Sequence, residues 1–156
     1  MTAWQEQPPA IRATLNPLLV AGVLAWTSNG YRAAVNTAMP WPLAFVTPAL
    51  VLHAPSRQAL PGAASKRLLT WRDENDILIA GLPARCVALR PFVQAGLRVG
   101  LRHRLLVLEG IGIRSTLPQG RTPVELREIA RAAALVGRWL APLPVPAVLA
   151  QLGVAP

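Results

Sequence analysis

A mainly α-helical domain with one small β-hairpin, compact and winged-helix-like, is the fold that these 156 residues predict. Three observations lead to it. Apolar residues recur at helical spacing over most of the chain. Only residues 105–117 hold two short β-prone runs around glycines, and a long helical pattern leads directly into them, which is winged-helix grammar. The length suits one folding unit that can bury a core without disulfides or a metal, so residues 16–156 are read as a single domain behind a flexible lead-in at 1–15.

Each element has a cause in the sequence. Asn16 followed by Pro17 gives an N-cap and a proline at the first helical position, so a helix is expected from Pro17 to about Tyr31. Its apolar residues lie nearly all round, as in a helix buried within a domain or against a partner. Asn36 and Thr37 break the pattern, and Met39-Pro40-Trp41-Pro42 forces an extended approach to a second helix over about Leu43 to Leu52, bent near Pro48. From His53 to Pro61, prolines near both ends leave room for one short helical piece, a connector of fixed shape. Ala63 to Trp71 reads helical, and Arg72-Asp73-Glu74-Asn75-Asp76 reads as a charged surface break.

The next helix is expected to start near Pro83, an N1 proline, and to reach towards His103, with Pro91 kinking or splitting it. Leu82, Cys86, Leu89, Val93, Leu97 and Leu101 carry its apolar spacing, and the pair Gly96 and Gly100 predicts close helix packing. Leu105 to Glu109 and Ile113 to Leu117 read as two strands around Gly110-Ile111-Gly112. Thr122-Pro123-Val124-Glu125 reads as a capping box from which a helix runs to about Leu140. Leu126, Ile129, Ala133, Val136 and Leu140 form its seam, Arg127, Arg131 and Arg138 lie off it, and Glu128 is spaced to pair with Arg131. Pro142, Pro144 and Pro146 end that helix, and one last turn or two precede Gly153.

Composition bounds the function. Hydrophobic residues are 53% and charged residues 15% of the chain, so part of the surface is apolar or covered by partners, which favours a subunit over a free enzyme. The net charge is +9, but all basic residues except Lys66 are arginines spread from Arg12 to Arg138, a bias that high-GC coding alone produces. Cys86 is the single cysteine, which excludes an internal disulfide, suits a reducing cytoplasm and reads as a small buried hydrophobe. The polar N-terminus lacks the pattern of a signal peptide. Residues 33–56 carry no charged side chain, yet four prolines interrupt them and the most apolar part is too short to span a bilayer, so a buried core helix is expected there.

Chemistry-bearing residues are sparse. His53 and His103 have no second ligand at metal spacing, and Asp73-Glu74-Asn75-Asp76 lacks the glycine and spaced carboxylates of a calcium loop, so neither a metal nor a cofactor is expected. No phosphate-binding lysine motif, nucleophile elbow or dinucleotide glycine motif is present, and Ser56, Ser65 and Ser115 have no recognisable base, so no catalytic residue is assigned. Trp41, Trp71 and Trp139 stand beside proline or arginine and suit either core packing or anchoring of a partner. The candidate partner-binding residues are therefore His53 and Arg57 in the connector, Trp71, and Arg138-Trp139 near the end of the last long helix.

Ordered blocks extend over residues 16–156. They run from Asn16-Pro17 to Gly30-Tyr31, and from Pro42-Leu43 to His53 with Pro55, Arg57 and Leu60-Pro61. Leu69-Thr70-Trp71 with Glu74-Asn75, then Gly137-Arg138-Trp139 and Leu152 to Pro156, complete them. In this order the chain resembles the middle components of three-component ABC systems, relatives of the Lamassu-type middle subunit of antiphage defence. The resemblance implies a non-catalytic adaptor, encoded between an SMC/Rad50-like ABC ATPase and a variable effector in a prokaryotic conflict system. A winged-helix DNA-binding regulator is the alternative, with Arg98, Arg102 and Arg104 on the reading helix and Arg114 on the wing. A peripheral membrane protein using residues 33–56 is a third.

Overall fold

The computed structural model describes residues 16–118 and 122–154. The lead-in expected at 1–15 lies outside them. Helix α1 (Pro17–Val35) starts as expected, with the Asn16 side chain accepting a hydrogen bond from the Leu18 N–H at 2.8 Å. It continues one turn beyond Tyr31 and stops at Asn36, whose backbone is left-handed (φ 56°). The extended approach follows as a two-residue strand, β1 (Met39–Pro40).

The helix expected over Leu43 to Leu52 is in two pieces, a 3₁₀ turn (Trp41–Phe45) and α2 (Thr47–Val51). The break falls at Val46, before Pro48, because proline fits the first turn of a helix where its missing N–H has no partner to lose. The connector holds one short helix, α3 (Ala54–Ala59).

The centre of the chain departs from expectation. Residues from Ala63 are loop until α4 (Leu68–Glu74), and the charged run is an exposed break as expected, though a narrow one. It straddles the junction of α4 and α5 (Asp76–Arg102), with Asn75 alone between them. Helix α5 begins about two turns before Pro83 and holds both Pro83 and Pro91 inside. An interior proline costs a helix about 3 kcal/mol, and here Leu82, Cys86 and Val93, on the same stretch, are buried in the core and offset it.

Strands β2 (Leu106–Glu109) and β3 (Gly112–Ser115) form the expected hairpin, turning at Gly110 (φ 62°). The sheet has a third strand. β1 pairs with β3 in register Met39↔Ile113 and Pro40↔Gly112, giving the antiparallel order β1-β3-β2 in place of a hairpin alone. Pro40 is tolerated because β1 is an edge.

Helix α6 (Arg127–Leu140) is entered through a 3₁₀ turn (Val124–Leu126), and no side-chain hydrogen bond caps either. The capping box expected at Thr122 does not form, and the α-helix starts a turn later than that motif indicates. After Pro142 and Pro144 comes α7 (Val145–Leu152), which takes Pro146 into its first turn and is ended by left-handed Gly153.

Helix α1 lies at the middle of this arrangement. A Cβ at Gly30 would overlap the Ala134 carbonyl of α6, and one at Gly137 would overlap the Thr27 carbonyl of α1, so the two helices cross backbone to backbone. Gly96 and Gly100 do bring α5 close, as expected: a Cβ at Gly96 would sit 2.6 Å from Val20 Cγ1, and one at Gly100 2.6 Å from Leu106 Cδ1. The buried Ser28 hydroxyl donates to the Ile113 carbonyl at 2.8 Å and ties α1 to the sheet. Residues 43–44 and 46–51 are buried, as the charge-free stretch predicts, and no single described helix is long and apolar enough to cross a membrane.

Candidate functional site

The five candidate partner-binding residues separate into buried and accessible groups. Trp71 and Trp139 are 1% and 3% exposed, with ring centroids 5.1 Å apart and planes at 82°. Each indole N–H donates at 2.7 Å to a backbone carbonyl, Trp71 to Ala59 at the end of α3 and Trp139 to Lys66 in the loop between α3 and α4. Both therefore fix the fold around that loop. Trp41 differs: it is 54% exposed beside the sheet and meets Phe45 edge to face at 6.1 Å.

Arg57 is engaged inside the chain. Its Nε donates to Glu128 Oε1 at 3.2 Å and a terminal nitrogen donates to the Val51 carbonyl at 2.8 Å, so the guanidinium clasps α2, α3 and α6 together. The expected pairing of Glu128 with Arg131 is replaced by this cross-chain bond. Arg138 is exposed at the surface of α6.

His53, Ser56 and Arg85 form the only close approach of a histidine to a hydroxyl among the described hydrogen bonds. His53 Nδ1 lies 2.8 Å from Ser56 Oγ, and Arg85 donates to the same hydroxyl at 3.1 Å and to the Leu78 carbonyl at 3.1 Å. Ser56 is completely buried, so no substrate reaches it, and the geometry is that of the first turn of α3 held to α5. Burial lowers the His53 pKa from the usual imidazole value, and the Arg85 charge lowers it further. The neighbouring Cys86 thiol is pushed up to about 11 by burial, which the Arg85 charge partly opposes, and is unreactive at neutral pH. Among the described residues no three of His, Cys, Asp and Glu are grouped to hold a metal ion.

The alternative nucleic-acid set is only partly assembled. Arg98 and Arg102 are exposed on the last turns of α5 and Arg104 just beyond it, whereas Arg114 is ion-paired to Glu109 across the hairpin at 2.9 Å.

Two accessible features were not among the assigned residues. One is apolar. Trp41 lies beside Ile111, whose carbonyl accepts its backbone N–H at 3.1 Å; Ile111 (79% exposed) and Leu108 (68%) stand at the same end of the sheet, and Ile77 (84%) and Val87 (67%) are exposed on α5. The other is a groove of about 420 Å³ between α1 and α6, lined by Trp26, Asn29, Ala33, Arg127, Arg131 and Arg138 among others. Its signal in the sequence was the set of arginines off the α6 seam, which carries no meaning until Gly30 and Gly137 bring α1 alongside.

Buried indoles, an internal guanidinium clasp and accessible apolar and arginine surfaces define a small helical domain with chemistry suited to contact. The chain belongs to the ABC-three component (ABC-3C) system Middle Component 3 family, whose model matches residues 4–156. The family expected from the ordered sequence blocks is thus shown, and the protein is a middle component of an ABC-three component system. No curated protein and no solved structure matches the chain.

Proposed function

We propose that the protein is a non-catalytic adaptor in the cytoplasm that bridges an SMC/Rad50-like ABC ATPase and an effector in a prokaryotic antiphage system. The observation that carries this reading is the set of exposed large apolar side chains, Trp41 with Leu108 and Ile111 at one end of the sheet, and Ile77 and Val87 spaced along α5. Large apolar side chains left in water favour covering by a partner, and their spread over the surface leaves room for two. The family's designation as a middle component agrees with that role. Of the candidate contact residues, Arg138 meets a partner directly, while His53, Arg57, Trp71 and Trp139 shape the surface that does so.

Co-expression with the neighbouring ATPase and effector, followed by pull-down on the tagged chain, tests it. Both neighbours are expected to co-purify, one of them lost in Trp41→Ser with Ile111→Ser and the other in Ile77→Ser with Val87→Ser, at unchanged melting temperature. Recovery of neither neighbour with the natural sequence would sink the reading.

A winged-helix DNA-binding regulator is the second reading, favoured by exposed Arg98, Arg102 and Arg104. Against it, Gly96 and Gly100 turn the same part of α5 towards α1 and Leu106, and Arg114 is paired within its own hairpin. It requires DNA affinity that falls steeply with salt and with Arg98→Gln plus Arg102→Gln.

A further inference from the structure

We infer that the groove between α1 and α6 is a docking site for an extended acidic peptide segment of a partner protein. The proposal deepens the adaptor reading and rests on it in one respect, that the segment belongs to another subunit. Arg127, Arg131 and Arg138 all line the groove and all are exposed. At 100° per residue the three point within about 40° of one another, and they extend over about 16 Å of helix. Among the described residues none of them has a carboxylate at ion-pair distance, and no Asp or Glu lines the groove. Glu128, the acid placed in sequence to neutralise Arg131, is held by Arg57 instead. The groove is thus a row of uncompensated guanidinium groups, each with a planar fork that fits a carboxylate in two hydrogen bonds.

The spacing selects the ligand. A single phosphate or a nucleotide needs cations converging on one point, whereas these are strung out along a line. About five residues of extended chain cover 16 Å, so carboxylates about two and then about three positions apart reach successive arginines. Single-stranded nucleic acid also carries spaced charges, but it binds through aromatic platforms for successive bases. The groove offers one indole, Trp26, and that ring is folded back over Gly22 of its own helix, 3.3 Å from where a Cβ would stand. Most of the rest of the lining, with Ala33, Ala130, Ala134 and Pro118 beside Thr122, is small, which suits a peptide backbone lying close. Asn29, whose Nδ2 donates to the Leu117 carbonyl at 3.5 Å, holds the rim between α1 and the segment after β3.

Fluorescence anisotropy on the full chain with a labelled deca-glutamate peptide tests the site, with labelled deca-thymidylate as the competing probe. The peptide is expected to bind, each of Arg127→Gln, Arg131→Gln and Arg138→Gln to weaken it about two- to fivefold, and the triple variant by more than about tenfold. Ala33→Trp, which fills the groove without changing charge, is expected to abolish most of the binding. Arg98→Gln with Arg102→Gln and Arg104→Gln removes the same net charge elsewhere and is expected to leave affinity within about twofold. Equal loss in that control, indifference to Ala33→Trp, absence of peptide binding, or tighter binding of the oligonucleotide would each overturn the proposal. Pull-down of the two neighbours is read separately. Their absence alongside groove-dependent peptide binding would remove the adaptor reading and leave the site standing.

Discussion

The indoles of Trp71 and Trp139, 68 positions apart in the chain, meet edge to face at 5.1 Å and hold the carbonyls of Ala59 at the end of α3 and of Lys66 in the loop that follows it. The pair thereby does two jobs at once, filling the core and satisfying backbone oxygens on both sides of that loop. Phenylalanine keeps most of the ring and removes the donor. Trp71→Phe and Trp139→Phe are each expected to lower stability by about 2 kcal/mol, from a buried acceptor left without its bond and a weakened aromatic contact. Because both indoles act on one loop, the double variant should be non-additive by more than about 0.5 kcal/mol in urea titrations followed by circular dichroism. Strict additivity would show that the two act independently.

The crossing of α1 and α6 depends on Gly30 and Gly137. Added methyl groups there meet backbone, which has no rotamer to yield, so Gly30→Ala and Gly137→Ala are each expected to cost about 3 kcal/mol or more. Gly62 is exposed with nothing within 4 Å of its Cβ position, and Gly62→Ala should stay within about 0.5 kcal/mol of the parent. Thermal melts of the three variants compare them directly. A Gly30→Ala melt matching that of Gly62→Ala would show that the helices do not approach as described.

These residues mark where sequence reasoning reaches its limit. The cap of α1, the short α3 between prolines and the apolar face of α6 were legible because each is a local matter of spacing and terminal residues. So was the hairpin, whose glycines lie between β-prone runs, and so was the close packing at Gly96 and Gly100, four apart on one face. The start of α5 was misread because Pro83 looks like a first-turn residue, and only tertiary burial of Leu82 and Cys86 keeps the helix going through it. Strand β1 was invisible, since two residues have no period and their pairing with Ile113 and Gly112 spans more than 70 positions. Glu128 was assigned to its helical neighbour Arg131 by the local rule, and a residue from α3 took it. The arginine groove requires α1 and α6 to be adjacent, which no local pattern states.

The Arg57 clasp is asymmetric, and that asymmetry is measurable. The Arg57 side chain is 16% exposed and Glu128 is 72% exposed, so the ion pair itself is largely screened by solvent. Glu128→Ala is accordingly expected to cost less than about 0.5 kcal/mol. Arg57→Ala also removes the donor to the Val51 carbonyl and the packing of the aliphatic stem, and should cost about 1–3 kcal/mol. Equal effects of the two substitutions in chemical denaturation would mean that the ion pair, and not the carbonyl contact, is what holds α3 to the core.

The last prediction concerns acid. Burial and the Arg85 charge lower the His53 pKa below its unfolded value of 6.5, because a second positive charge beside Arg85 is disfavoured and the imidazole sits partly out of water. Below the unfolded pKa, therefore, the unfolded chain takes up a proton that the folded chain resists, and folding is opposed. The sign is fixed by this: the contribution is absent well above pH 6.5, and stability falls as pH drops from 6.5 towards the lowered folded value. His53 Nδ1 can accept from the Ser56 hydroxyl only while neutral; once protonated it can only donate to the Ser56 oxygen, which already accepts from Arg85. Among the described residues His103 makes no side-chain hydrogen bond, and it is exposed, which makes His103→Gln the matched control. The melting temperature of the parent is expected to fall between pH 7 and pH 5, more steeply than that of His53→Asn, in which asparagine supplies a polar N-cap side chain that does not titrate. The His103→Gln variant should follow the parent. If His53→Asn kept the full acid sensitivity, the loss would belong to other groups and the contact of His53 with Ser56 would carry no pH-dependent stability.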